Sequence, residues 1–505
     1  MRKKRATYNI ITSIIYQVVM VLVNFIVPKL IMSTFGSAMN GLINSITQFL
    51  SYVSLLESGV CNVVIVKYYE SLANEDQIKT SQIYKESKKF FNGIAAFSVG
   101  YIALLCVFYP MFAKSDFASP TIIKLILIIS AITLTQYLFG ISARCLIQAD
   151  QRAYIVNITK TIANIFSTVF VLIFVKLNCN VFIVKGSSTV ALICIPIVFC
   201  LYAKRRYKIS SSVSRNKELL SDKWDGLGQH IAAFIHSNAD VALLTIFSGV
   251  VQVSIYSVYA MILDGLSSLC STLTNGVSAA FGNMIAKKEY DNLKRSYIAF
   301  DYLYTIIIFI LFTVAYHMIL PFIRIYTADI TDANYIIPLY AIIAILARGI
   351  YCIRCSYTCI IYAAGHFRQT TRNCFIEAII NIVVSLLLVH KYGIVGVGIG
   401  TLIAMAYRSI DYIYYLSKNI IKWDIKKVAF RYLINIIGVA AVYVSVKWIP
   451  YDSINSVKGW IIYAVITTLI TGIEFLVINT LLNRKGMKDV YQIYIKPMIA
   501  KFIKK

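Results

Sequence analysis

Tyr302–Leu320 reads YLYTIIIFILFTVAYHMIL, a run without a single Asp, Glu, Lys or Arg. A bilayer core of roughly 30 Å is crossed by about 20 apolar residues in helix. Backbone groups in lipid must hydrogen-bond within their own segment, so such a run reads as a transmembrane helix. Outward from it, comparable runs recur along the whole chain. Spans are predicted near residues 9–33, 41–66, 91–113, 121–147, 154–176, 183–203, 229–248, 255–282, 298–324, 336–363, 373–390, 394–418, 431–449 and 459–482. Lys160 and Asp240 fall inside two of these spans.

The composition agrees. Of 505 residues, 59% are hydrophobic and only 14% charged, whereas soluble domains sit near half and a quarter. Such a chain cannot cover its surface with polar groups, so the excess must face lipid. The expected fold is an all-α polytopic membrane protein of about fourteen transmembrane helices. The first apolar run is too long for a signal-peptide core and has no small-residue cleavage site, so it reads as an uncleaved span.

The net charge of +26 raises nucleic acid as a partner, but its placement argues against one. Lys and Arg cluster in short tracts between apolar runs: Arg2-Lys3-Lys4-Arg5, Lys88-Lys89, Lys204-Arg205-Arg206, Lys287-Lys288, Lys426-Lys427 and Lys504-Lys505. Alternate loops hold most of them, the pattern of cytoplasmic loops. Both termini are therefore expected in the cytoplasm of a multi-pass cytoplasmic (inner) membrane protein. Lys67–Phe90 reads as one polar helix on that face. The tail from Lys485 sets Tyr491, Ile495 and Ile499 among basic residues, which fits either a helix on the anionic leaflet or a solvated tail.

No P-loop, zinc motif or nucleophile elbow is present, so neither ATP hydrolysis nor a cofactor is expected. Gly396-x-Gly398-x-Gly400 follows no strand, and the dinucleotide fingerprint fails; Gly396-x-x-x-Gly400 reads as close helix packing. Cys352, Cys355 and Cys359 lie at helical spacing but adjoin no His or carboxylate. They read as small hydrophobes rather than metal ligands.

The chain resembles itself at an offset of roughly 215 residues. Gly59-Val60 matches Gly276-Val277, Ile147-Gln148-Ala149 with Asn164 matches Ile361-Tyr362-Ala363 with Asn381, and Gly186…Thr189 matches Gly398…Thr401. The implied plan is a six-helix bundle over 1–225, a second of the same orientation over 226–430, and two extra helices with a basic tail over 431–505. Parallel repeats place a substrate path at their interface.

Charges inside spans are costly and mark cavities or partners. Arg408 and Asp411, at i and i+3, are expected to neutralise one another. His236 and Asp240 share a face at i, i+4, and with Glu57 form the candidate coupling or gating set. Glu377 and Arg144 are expected near cytoplasmic ends, within reach of water. Lys29, Arg348 and Arg354 have no acidic neighbour in sequence. As cavity cations they would suit an anionic substrate, since Arg and Lys bind phosphate strongly in low dielectric.

Several motifs are similar to those of the polysaccharide (O-antigen type) flippases of the multidrug/oligosaccharidyl-lipid/polysaccharide exporter superfamily. They are Pro28-Lys29-Leu30…Phe35-Gly36 with Asn40-Gly41-Leu42, and Leu56-Glu57-Ser58-Gly59-Val60 before Tyr68…Asp76. Ser237-Asn238-Ala239-Asp240 with Tyr256-Ser257…Tyr259, and Ala364-Gly365-His366-Phe367 before Asn381 and Tyr392…Thr401, complete the set. The resemblance implies two lobes around a cationic cavity and alternating access. It implies a substrate of undecaprenyl-pyrophosphate-linked oligosaccharide, membrane lipids as partners, and a polysaccharide polymerase with other assembly proteins as further partners. Lys29, Arg348 and Arg354 would hold the pyrophosphate. A cation-coupled multidrug exporter of the same superfamily is the alternative, and a membrane polysaccharide polymerase a more distant one.

Overall fold

The computed structural model describes residues 2–57, 59–210, 213–214 and 227–497. The chain forms two compact units, Met1–Ser257 and Val258–Lys505. The bundle boundary expected at residue 225 lies outside the described residues.

The first unit holds α1 (Arg2–Phe35), α2 (Ser37–Ser51), α3 (Val60–Ala73), α4 (Gln77–Phe112), α5 (Ser119–Thr135), α6 (Ile141–Ala149), α7 (Ala153–Lys176), α8 (Val181–Tyr207) and α9 (Leu227–Leu243). Helix α10 (Val250–Ala286) carries the boundary between the units. The second unit continues with α11 (Tyr290–Tyr326), α12 (Pro338–Ala363), α13 (Phe367–Tyr392), α14 (Ile394–Asn419), α15 (Ile425–Ser445), α16 (Val457–Leu482) and the short α17 (Arg484–Val490).

Local chemistry sets many of these ends. Side chains of Asp76, Asn180, Asp424 and Ser456 accept from backbone N–H groups in the first turns of α4, α8, α15 and α16, the usual capping arrangement. Pro120 and Pro338 sit in the first turns of α5 and α12, where a missing N–H costs nothing. Helix α1 runs on through Pro28.

Among the described residues, twelve helices are long and apolar enough to cross a membrane, or thirteen if a bent pair counts as one span. The protein is thus a polytopic, all-α membrane protein. The bent pair is the predicted span 41–66: Ser37–Leu56 and Val60–Ala73 meet at 47°. The remaining predicted span, 229–248, falls on α9 and the π turn Leu244–Ser248, and its described apolar helix is Asn238–Ser248.

The polar segment 67–90 departs from expectation. It is two helices, not one, because Glu75 takes a left-handed φ of 52° and Asp76 caps α4, accepting from the Lys79 N–H at 2.8 Å. Helix α4 then runs unbroken from its polar start into the span.

The backbone itself carries the internal repeat. Gly36, Glu75, Gln151, Asn178 and Lys208 have positive φ, and so do Gly249, Lys288, Gly365, Gly393 and Lys422, at separations of 213, 213, 214, 215 and 214 residues. Each marks a helix junction, so five junctions recur in the same order. Buried aromatic positions follow the same step: Tyr68 and Phe281, Tyr84 and Tyr297, Phe91 and Tyr304. So do two interhelical bonds, Ser167 to Ser188 at 2.7 Å and Asn381 to Thr401 at 3.3 Å. This step keeps the match of Ile147–Ala149 with Ile361–Ala363 but corrects the three others, Thr401 corresponding to Ser188 rather than Thr189. Asn381 corresponds to Ser167 rather than Asn164. Gly59 caps α3 with φ 85°, whereas Gly276 lies inside α10.

The Gly396-x-x-x-Gly400 reading holds. A Cβ on Gly396 would stand 2.5 Å from the Leu388 carbonyl oxygen, and one on Gly400 would stand 2.1 Å from Ser385 Oγ. Only glycine lets α14 approach α13 this closely.

Candidate functional site

In the second unit, Arg348, Tyr351 and Arg354 follow one another at i, i+3 and i+6 on α12. The two guanidinium carbons lie 5.8 and 5.2 Å from the Tyr351 ring centroid, so one ring serves both cations. Arg348 pairs through Nη2 with Asp264 of α10 at 2.7 Å. The Asp264 side chain is 60% exposed and that of Arg348 27%. A carboxylate this open, in a spanning helix, must meet water rather than lipid.

Arg354 is placed differently. It is buried and bonded to Glu377 of α13. Glu377 also lies 3.7 Å from Arg408 Nε. Arg408, 1% exposed, pairs with Asp411 at 3.3 Å as expected and donates to the Thr370 carbonyl and the Tyr412 hydroxyl, each at 2.9 Å. Its guanidinium carbon lies 4.3 Å from the Tyr412 ring, and Asn373 donates to Asp411. Two arginines and two acids thus balance in a largely buried network across α12, α13 and α14, with Asp411 its most exposed member. The expectation that Glu377 reaches water is corrected: packing of three helices around it leaves it 3% exposed.

Magnitudes separate the two cations. An exposed ion pair is worth about 0–1 kcal/mol, and the Arg348–Asp264 pair, with side chains 27% and 60% exposed, is of that kind. Removing one partner of a buried pair costs about 3–5 kcal/mol, which holds Arg354 to Glu377.

In the first unit, Glu57 ends the 3₁₀ turn Tyr52–Leu56 where the second span breaks. Arg144 of α6 bonds it at 2.8 Å, and Cys61 Sγ donates to the same oxygen at 3.2 Å. Arg144 lies five residues before the end of α6 with its side chain 21% exposed, and it spends its charge on Glu57. The carboxylate also stands just before the N-terminus of α3, where a negative charge is favoured. Asp240, 6% exposed, accepts from the Tyr256 hydroxyl at 3.3 Å. Lys29 lies half-buried on α1. His236 is on α9, with its side chain outside the described residues.

Sequence reasoning does not find Asp264, Arg144 and Glu377 as the partners of Arg348, Glu57 and Arg354. Nothing local in sequence joins α10 to α12, or α3 to α6. The spacing of Tyr351 midway between two arginines was the legible signal.

Cys352, Cys355 and Cys359 contact three separate partners, Ser267, the Tyr351 carbonyl and the Thr274 carbonyl, and so converge on no common point.

The fold resembles that of known flippases and exporters. A structure of lipid II flippase MurJ in an inward closed conformation superposes with a TM-score of 0.71 at 13% identity, over 95% of this chain and 99% of that one. An inward-facing multidrug resistance MATE family transporter of the MOP superfamily matches with a TM-score of 0.57 at 14% identity, over 79% of this chain and 94% of that one. The MATE multidrug transporter DinF-BH gives 0.56 at 15% identity, over 83% and 95%. No family model and no curated protein sequence matches. At these identities the likeness establishes a shared fold.

Proposed function

We propose that the protein is a flippase. It moves a pyrophosphate-linked lipid oligosaccharide from the inner to the outer leaflet of the cytoplasmic membrane by alternating access, with both chain termini inside. The observation that carries this reading is the open Arg348–Asp264 pair in the spanning helices of the second unit. Its guanidinium exchanges a weak, water-screened partner for a phosphate, to which its planar fork is matched. Tyr351 supplies a flat face with a polar tip beside it, suited to the first sugar. Arg354, held by Glu377, positions that ring. Lys29 of the first unit is proposed as a further substrate-binding cation in its own right, and Glu57 and Asp240 for coupling or gating. A polysaccharide polymerase and other assembly proteins are the proposed downstream partners.

The fold likeness supports a transporter rather than an enzyme. The MurJ frame accounts for 95% of this chain and the MATE frames for 79% and 83%, which favours a lipid-linked substrate over a small drug. The test is export of lipid-linked glycan, normalised to membrane-inserted protein. A lost charge-assisted bond to phosphate is worth about 1.5–3 kcal/mol, so Arg348→Ala should lower export roughly 10–100-fold. Arg348→Lys should retain part of it, and Lys29→Ala should lower it too. Full export by Arg348→Ala, or dye efflux that survives while glycan export is absent, would refute the flippase reading.

A further inference from the structure

We infer that α17 and the helical residues after it form a basic platform that binds anionic phospholipid headgroups. Helix α16 ends at Leu482 and α17 begins at Arg484, so the chain itself delivers this segment to the membrane surface. Its inner face is fixed. Val490 is 1% exposed in a core with Ala299, Tyr302 and Phe475, and Met487, Ile493 and Tyr494 pack against that core. The Tyr494 hydroxyl donates to the Ser296 carbonyl at 3.0 Å. Gly486 lies so close to α11 that a Cβ there would stand 2.9 Å from the Tyr302 ring.

A buried polar clamp holds the support: the Tyr302 hydroxyl donates to Asn479 at 2.8 Å, and Asn479 donates to Asn435 at 3.4 Å. The segment is therefore a docked element and not a loose tail.

The outer face carries Arg484, Lys485, Lys488 and Lys496, all exposed, with Tyr491 and Ile495 exposed between them. Cations flanking an aromatic and an aliphatic side chain are the composition of an interfacial helix. Four cations against the half-buried Asp489 select a negative headgroup. Each Lys or Arg near an anionic surface strengthens binding about fivefold.

The test uses the full chain in detergent, offered equimolar phosphatidylglycerol and phosphatidylcholine of identical acyl chains, with retained lipids counted by native mass spectrometry. The wild type should retain phosphatidylglycerol preferentially, and the preference should fall steeply at high salt. The variant R484Q/K485Q/K488Q/K496Q should lose it. The variant K204Q/R205Q/R206Q, which neutralises an equally exposed tract at the end of α8, should keep it. The inference is overturned if the wild type shows no preference, if the fourfold variant keeps it, or if both variants lose it equally.

Discussion

Arg354 and Arg348 lie six residues apart on one helix, yet their ion pairs differ in burial. Glu377 holds Arg354 and approaches Arg408 at 3.7 Å, with all three side chains nearly sealed. Replacing it leaves two buried cations short of an acid. Glu377→Gln should therefore lower stability by about 3–5 kcal/mol. Asp264→Asn, at an open pair, should cost less than about 1 kcal/mol. Thermal unfolding of the two variants in one detergent measures the difference. Equal losses would show that burial does not separate the pairs, and would remove the basis for calling Arg348 the available cation.

At the scale of elements, contact is decided by what fits between helix axes. Gly400 lets α14 lie against Ser385 and the Asn381 carbonyl of α13, beside the Asn381–Thr401 bond. A larger side chain there forces the helices apart, so Gly400→Leu should cost about 1–3 kcal/mol. Gly93 in α4 has nothing within 4 Å of its Cβ direction. Gly93→Ala should be neutral, or stabilising by up to about 1 kcal/mol through helix propensity. A Gly400→Leu variant that melts with the wild type would contradict the packing account. The pattern of small residues in sequence announced this contact, because spacing alone puts Gly396 and Gly400 on one face. The break at Glu57 gave no such notice: hydropathy runs through it, and the bend arises where Gly59 turns the backbone left-handed.

For the whole molecule, the placement of Lys and Arg sets orientation. Reporter fusions after Lys89, Arg206 and Lys427 should report cytoplasm, and fusions near Ser119 and Asp332 the opposite side. Reversal at two or more sites would overturn the topology. The recurring positive-φ junctions predict that 1–225 and 226–430 are copies in the same orientation, outside which α15 and α16 fall. An experimental structure in which the copies were inverted would contradict it. The repeat does not reproduce the open pair: a step of 213 residues back from Asp264 reaches Ser51, and a step of 214 back from Arg348 reaches Leu134.

The sequence by itself determined that this is a helical membrane protein, roughly where its spans lie, and that it repeats. These follow from local quantities: about 20 apolar residues per crossing, charge between crossings, and recurrence at a nearly constant step. Arg408 with Asp411 was equally legible, being one helical turn apart. Only the tertiary structure decided which charges are spent on packing. Glu377 with Arg354, Glu57 with Arg144 and Asp264 with Arg348 are separated by 23, 87 and 84 residues, and no local pattern encodes a contact across such distances. Burial, which makes one of these pairs costly to break and another cheap, exists only once the helices have packed.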